Sequence, residues 1–367
     1  MYRAIRYVKR ILFFYLFSIG FVYGVSLAEK YPSYSYVFHE FDVDESYLYN
    51  EAFISFVSKH EKKLRSFYRH ALLRGKEILP TMHGLLAEDG VSDLFIYLSM
   101  VESGFSTDAV SPKKAVGLWQ FMPATAKDYN LTVCHSYDER CDTVSATSAA
   151  INYLNRLHKQ FGKWYLSAMA YNCGEGCVSR AIKRAGTDEL SVLMDDNLKY
   201  LPRETRQYMK KILLLAMIGE NETLDFGNTT NQNLENALIQ VTVPAGTSLK
   251  EIAALLKMNE ARLLSLNKSL KDGRVPKERP TYKITIPLEK VYAFYLRYQL
   301  PDKKKVFKSH MVSHTVALGE TVESIAKLYD VDAEEIIFSN HLKNDFLVLD
   351  SLLVIPVNKK TFDKILE

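Results

Sequence analysis

Charge of one sign is what this chain lacks. Its 367 residues carry 47 Lys and Arg against 43 Asp and Glu, and the surplus sits in the first 28 residues, where Arg3, Arg6, Lys9 and Arg10 meet no acid. The remainder is formally neutral and gives no support for nucleic-acid binding, which would want a clustered basic surface. Cysteine is scarce: Cys134, Cys141, Cys173 and Cys177 are the whole supply. None falls in C-x-x-C spacing, which argues against a thiolate zinc site, and none stands beside residue 28, where a lipid-anchored protein would need one. The apolar run from Ile11 to Val25 is shorter than the roughly 20 residues of a membrane-spanning helix. Residues 50–219 show no convincing strand alternation, and no metal or organic cofactor is indicated anywhere.

What is present begins at that N-terminus. A basic head, an apolar stretch and the small residues Ser26-Leu27-Ala28 describe a cleaved secretory signal over residues 1–28, with a retained N-terminal anchor as the alternative. Export agrees with disulfides. Cys134 and Cys141 flank the polar loop HSYDER, Cys173 and Cys177 flank a glycine-rich turn, and local pairing of each couple is expected, although spacing alone does not choose the connectivity.

The stretch Leu94–Gln120 carries the chemistry. Leu94, Phe95, Ile96, Tyr97, Leu98, Met100 and Val101 form an apolar run with too few polar breaks for an exposed helix, and Gly104 ends it. Glu102 therefore sits in the last turn of a buried helix. A carboxylate beside an apolar wall is costly to ionise, so its pKa rises and it can donate a proton near neutral pH. The bland alternative is a helix-end acid bonded to nearby backbone.

Around this stretch the chain reads as follows. Residues 29–90 begin as an extended arm over 31–49, rich in Tyr and acids, and become helical from Asn50 to Ala87, with Pro80 separating a second segment. Residues 91–219 are a helical domain, with helices at Asp142–Phe161, Trp164–Asn172, Glu175–Ala185 and from Pro202 to Ile218, the last stopped by Gly219. Residues 220–238 are a polar, Asn-rich linker. Val243–Asn267 then aligns without gaps on Val316–Asn340, and each copy closes on a strand-like run, Lys283–Pro287 and Leu352–Pro356. This duplication marks two βααβ modules, at 239–289 and 312–358. Residues 290–311, with Lys303-Lys304-Lys305, read as a solvated spacer.

Glu102-Ser103, then GLWQ at Gly117–Gln120 with FMPATA after it, then AYN at Ala170–Asn172 together resemble the lytic murein transglycosylases with a goose-lysozyme-like catalytic domain. YDER at Tyr137–Arg140, WYLSAMAYNCGEG at Trp164–Gly176 and LPRETRQYMKKIL at Leu201–Leu213 extend the resemblance. The repeated modules look like LysM. The whole, over about residues 50–357, is most similar to the membrane-bound lytic murein transglycosylase D type. The fold implied is mainly α: a lysozyme-like helical domain followed by two small LysM modules.

The resemblance implies peptidoglycan glycan strands as substrate and N-acetylglucosamine-containing glycan as the ligand of the modules, in a bacterial periplasm. It makes Glu102 the acid and then the base, with Ser103 near acid or substrate, Gln120 orienting the sugar and the Tyr171 hydroxyl near Glu102. The reaction centre is the other place the resemblance allows for the Tyr171 hydroxyl, and Gly117 and Asn172 shape the backbone. Trp119 is either a sugar platform or core. Most glycosidases use two carboxylates; Asp108, Asp138 and Glu175 are the nearest acids, and capping explains each more cheaply. A hydrolytic muramidase on the same fold and a non-catalytic wall anchor are the alternatives.

Overall fold

The structure, a computed structural model, describes residues 26–225, 237–298, 310–340, 342, 347–349 and 351–366. Most of the expected signal segment and the Lys303–Lys305 run lie outside the described residues. The chain divides into two units, residues 1–299 and 300–367.

The first unit is a helical body carrying the first small module. Its helices are α1 (Leu27–Lys30), α2 (Tyr34–Glu40), α3 (Glu51–Gly75), α4 (Leu79–Glu88), α5 (Ile96–Ser103), α6 (Pro123–Asp128), α7 (Thr143–Phe161), α8 (Trp164–Cys173), α9 (Glu175–Ala185), α10 (Leu190–Leu193) and α11 (Arg203–Asp225). The ends obey local chemistry. Asn50 and Asp142 cap α3 and α7 by accepting from Phe53 N and Ser145 N, while Gly104, Gly162 and Gly186 end α5, α7 and α9 in the left-handed region. Pro80 and Pro123 occupy first turns. One core takes in residues from Tyr31 to Ile218 together with Leu238 and Leu266 of the following module, and α5 and α8 each give it a run of consecutive buried residues.

Two expectations fail here. Residues 31–49 are not an extended arm: they form α2 and a 3-10 turn at Glu45–Tyr49. Val37, Phe38 and Phe41 are buried in the common core, and Phe41 O accepts from Tyr165 N at 3.0 Å. Their spacing is that of one helical face, so the aromatic content drives packing. Gly219 is not a helix stop either, because α11 continues to Asp225. A Cβ there would stand 2.0 Å from Tyr97 Oη, so the glycine serves close approach between α11 and α5. The linker expected over 220–238 thus starts as helix, and residues 226–236 lie outside the described residues.

The first module pairs β1 (Leu238–Pro244) antiparallel with β2 (Thr281–Pro287), Val241 opposite Ile284, around α12 (Leu249–Leu255) and α13 (Glu260–Leu266). The spacer expected at 290–311 is in part structure: a 3-10 turn and α14 (Val291–Arg297) follow β2, and Phe294 is buried in the module core.

This module packs on the helical body. Tyr137 of the HSYDER loop enters its core and meets Tyr282 edge-on at 5.5 Å. Asp138 N donates to Ser269 O at 2.9 Å. Buried Asp142 accepts from Gln240 Nε2 at 2.8 Å and Thr285 Oγ1 at 3.0 Å, and Lys268 pairs with Asp108 at 2.8 Å.

The second unit has its own core. β3 (His310–Thr315) pairs with β4 (Leu352–Val357), Val312 opposite Ile355, around α15 (Val322–Tyr329) and α16 (Ala333–Ser339), and α17 (Lys359–Leu366) follows. The duplication persists in detail. Asn267 exchanges two hydrogen bonds with the Thr285 backbone, both 2.7 Å, and Asn340 does the same with Val354 at 2.7 and 2.8 Å. In each copy one asparagine ties the second helix to the closing strand.

Candidate active site

Glu102 occupies the last turn of α5, and the segment after it is clamped. Gly104 has φ +57°, and Arg74 Nε donates to its carbonyl at 2.8 Å. Across from the acid stands α11, whose Tyr208 Oη donates to Glu102 Oε1 at 2.6 Å. Burial is the main influence on Glu102 and raises its pKa. The Tyr208 hydrogen bond opposes it, the nearby Glu204 charge adds to it and Lys211 subtracts, leaving the carboxyl pushed up to about 7. A group so placed holds a proton near neutral pH and can release it.

The GLWQ loop is pinned beside this acid. Ser99 and Ser103, one turn apart on α5, both donate to Leu118 O, at 3.0 and 2.8 Å. Gly117 has φ +87°, and a Cβ on it would stand 1.8 Å from Arg140 O, so only glycine fits. Gln120 has φ +49° and donates from Nε2 to Ala109 O and Gly117 O, at 3.1 and 2.9 Å. Trp119 is fully buried and donates to Thr147 Oγ1 at 3.0 Å, which makes it core and not a sugar platform. Arg140 backs the loop, donating to Lys114 O and Phe121 O while paired with Asp138 at 2.7 Å.

The residues singled out in the sequence make the following contacts. Ser103 bonds the loop carbonyl and the Ser99 carbonyl, not the acid. Tyr171 Oη donates to Trp119 O at 2.8 Å. Burial and then the Glu102 charge raise the Tyr171 phenol, so it lies within electrostatic reach of the acid without bonding it. Asn172 accepts from Thr205 Oγ1 at 2.8 Å, joining α8 to α11. The amide of Gln120 is folded onto its own loop. The hydroxyl on the acid is that of Tyr208, in LPRETRQYM, and Glu204 stands one helical turn before it. The i, i+4 spacing of Glu204 and Tyr208 after Pro202 was the signal for both.

Asp108, Asp138 and Glu175, the acids considered as a second carboxylate, each have a cationic partner: Lys268, Arg140 and Arg156. Cys173 and Cys177 form a disulfide just after AYN. The second expected bridge is absent: Cys134 and Cys141 are free thiols. Cys134 turns toward the first module, with its Sγ against Tyr137 O at 3.3 Å, while Cys141 is buried at the end of a 3-10 turn beyond it.

Comparison with known proteins follows this layout. Residues 86–193 match the transglycosylase SLT domain, 237–303 the LysM-like domain of lytic transglycosylase MltD, and 314–356 the LysM domain. The chain is 29% identical over 299 residues to membrane-bound lytic murein transglycosylase D of Escherichia coli K12, covering 77% of this chain and 64% of that protein. It therefore spans somewhat under two thirds of that relative. It is 34% identical over 148 residues to peptidoglycan transglycosylase gp16 of Escherichia phage T7, 39% of this chain and 10% of that one. Among solved structures, the 70 kDa soluble lytic transglycosylase of Escherichia coli matches 40% of this chain and 24% of its own at 22% identity and TM-score 0.33. The chain carries a transglycosylase SLT domain, an MltD-type LysM-like domain and a LysM domain in that order, and is homologous to membrane-bound lytic murein transglycosylase D.

Proposed function

We propose that this protein is a lytic transglycosylase that cleaves the bond between N-acetylmuramic acid and N-acetylglucosamine in peptidoglycan. The observation that carries the reading is Glu102: a carboxyl held near pKa 7 by burial, met by a tyrosine hydroxyl and set beside the GLWQ loop. Protonated, it donates to the glycosidic oxygen as that bond breaks. The carboxylate so formed takes the proton of the muramoyl 6-hydroxyl, whose oxygen bonds to the anomeric carbon. One group serves twice, no water is consumed, and the product is a 1,6-anhydromuramoyl end. Tyr208 holds the carboxyl in place and stabilises its ionised form between the two proton transfers. The LysM modules bind N-acetylglucosamine-containing glycan, and the homology with a membrane-bound wall enzyme together with the Cys173–Cys177 disulfide supports work in the periplasm.

Hydrolysis is favoured by one observation: Glu204, exposed and near enough to raise the pKa of Glu102, is a carboxylate that could activate water. Mass spectrometry of muropeptides released from purified peptidoglycan separates the two readings. Transglycosylation gives products one water lighter than hydrolytic ones, abolished in Glu102→Gln and retained in Glu204→Gln. Reducing-end products that vanish in Glu204→Gln would establish a hydrolase instead.

A further inference from the structure

The turn that follows the acid is held by a helix lying earlier in the chain. Glu102 and Ser103 end α5, and the next two residues both take left-handed backbone, Gly104 at φ +57° and Phe105 at φ +63°. Glycine adopts that conformation freely, whereas a bulky residue does so only where its surroundings hold it there. Phe105 is 2% exposed, and the end of α3 is what holds it. Arg74 Nε donates to Gly104 O at 2.8 Å. The Arg74 guanidinium and the Phe67 ring also stand where a Cβ on Gly104 would go. The Phe105 ring lies over Gly75, so close that a Cβ there would be 2.8 Å from Phe105 Cδ2 and 3.1 Å from Leu79 Cδ1. Arg74 and Gly75 are consecutive, so one turn of α3 grips both left-handed residues.

The grip matters because of where the acid sits. The last carbonyls of a helix have no partner within it, and a final turn frays unless something outside closes it. Arg74 brings both a donor and a positive charge to the negative end of α5. It is not among the groups that shift Glu102, which are Tyr208, Glu204 and Lys211 acting beside burial. On its other side α5 is tied by Ser99 and Ser103 to Leu118 O. Released at its end, the last turn would carry Glu102 off Tyr208 and let water reach the carboxyl.

We propose that Arg74 and Gly75 are positioning residues for the catalytic acid: they lock the Gly104–Phe105 turn and so keep the Glu102 carboxyl against Tyr208 and beside the GLWQ loop. This rests on the reading of Glu102 as the acid of glycan cleavage. The match to the transglycosylase SLT domain begins at residue 86. The end of α3 therefore belongs to the working site although it precedes that span.

The test compares the full chain with Arg74→Ala, Arg74→Lys and Gly75→Ala, and takes Leu73→Ala, an exposed neighbour on α3, as control. Arg74→Ala is expected to lower kcat on glycan strands about tenfold with KM unchanged, since a small misplacement of a reacting group is costly. Tyr208, Glu204 and Lys211 on α11 and Tyr171 on α8 are the titratable groups that face Glu102, and the variants leave all four in place. A carboxyl opened to water loses part of the burial that raises it. The falling alkaline limb of the pH profile is therefore expected to move to lower pH, and NMR titration of the Glu102 side-chain carboxyl carbon to move with it. Gly75→Ala, which displaces the Phe105 ring, is expected to give the same signature and serves if Arg74→Ala does not fold. Arg74→Lys keeps a donor for Gly104 O and is expected to recover most of kcat, and Leu73→Ala to change nothing. A limb that stays in place or moves to higher pH, a loss carried by KM, or Arg74→Lys no better than Arg74→Ala overturns the proposal. A wild-type protein that cuts no glycan sinks the reading of Glu102 as the acid, while the NMR titration still decides whether Arg74 positions it.

Discussion

In the proposed reaction Glu102 and Tyr208 are the pair on which the chemistry turns, and their coupling has a sign that can be measured. The proposed cleavage needs Glu102 protonated, so its rate is expected to fall as pH rises through the pKa of about 7. The Tyr208 hydroxyl donates to the carboxyl and lowers that pKa against the larger effect of burial. Tyr208→Phe removes the donor while leaving the ring. Glu102 then becomes harder to ionise, and the falling alkaline limb of the pH profile moves to higher pH. The plateau rate drops at the same time, by about 10-fold, because the acid loses its positioning bond and its help in the second proton transfer. A limb that moved to lower pH, or did not move, would separate Tyr208 from the acid. Sequence reading singled out Glu102 at the end of an apolar run, a pattern that a helix-end acid also fits, and it was the GLWQ and AYN motifs downstream that gave it weight. The resemblance placed the Tyr171 hydroxyl near Glu102 or the reaction centre, and it lies close enough for the Glu102 charge to raise it while donating to Trp119 O. Two tyrosines on two helices flank one acid, and only the packing of α8 and α11 decides which points its oxygen where.

Glycine is the residue whose meaning depends most on its element. Gly104, Gly162 and Gly186 end helices with positive φ, and the period of the apolar residues before them made that legible. Gly219 gave the same signal in sequence and does the opposite in the fold, lying inside α11 where a Cβ would meet Tyr97 Oη at 2.0 Å and Cζ at 2.6 Å. Tyr97 is buried, and its hydroxyl is held by Glu220 at 3.0 Å, so it does not move aside freely. Alanine at 219 gains about 1 kcal/mol of helix propensity but forces a buried ring to shift, which costs about 1–3 kcal/mol or more. The steric term is expected to win at so close an approach, giving Gly219→Ala a net loss of about 2 kcal/mol and a lowered melting temperature. Gly84 makes the control. It is exposed inside α4 with nothing within 4 Å of its Cβ position, so Gly84→Ala is expected to stabilise by about 0.5–1 kcal/mol. Opposite shifts in thermal melts check the argument, and equal shifts would remove the Tyr97 contact as its cause.

The two LysM-type modules were legible as a duplication because their glycine and apolar positions recur at one offset and each copy then closes on a strand-like run ending in Ile-Pro. What each does for the whole molecule was not, since partner surfaces leave no periodic trace in sequence. The first module shares a folding unit with the helical body. It encloses Tyr137, donates to the carboxylate of Asp142 from Gln240 and Thr285, and places Lys268 on Asp108, whose loop neighbour Ala109 accepts from Gln120. The second module holds a separate core. A chain ending at residue 299 is therefore expected to melt with the same main transition as the full chain. Ending the chain at 236 strips Asp142 of both side-chain donors from the module and exposes Tyr137. A buried polar group left without partners costs about 1–3 kcal/mol, and the lost apolar contact adds to it, so the main transition is expected to fall by about 10 °C for a domain of this size. The same truncation frees Asp108 from Lys268 beside the Gln120 loop, so its cleavage rate at a temperature well below the transition is expected to drop as well, while the chain ending at 299 keeps its rate on short soluble glycan. Calorimetry and cleavage of the same three proteins decide this together. If both truncated chains melted and cut alike, the first module would be an appendage and not a wall of the active domain.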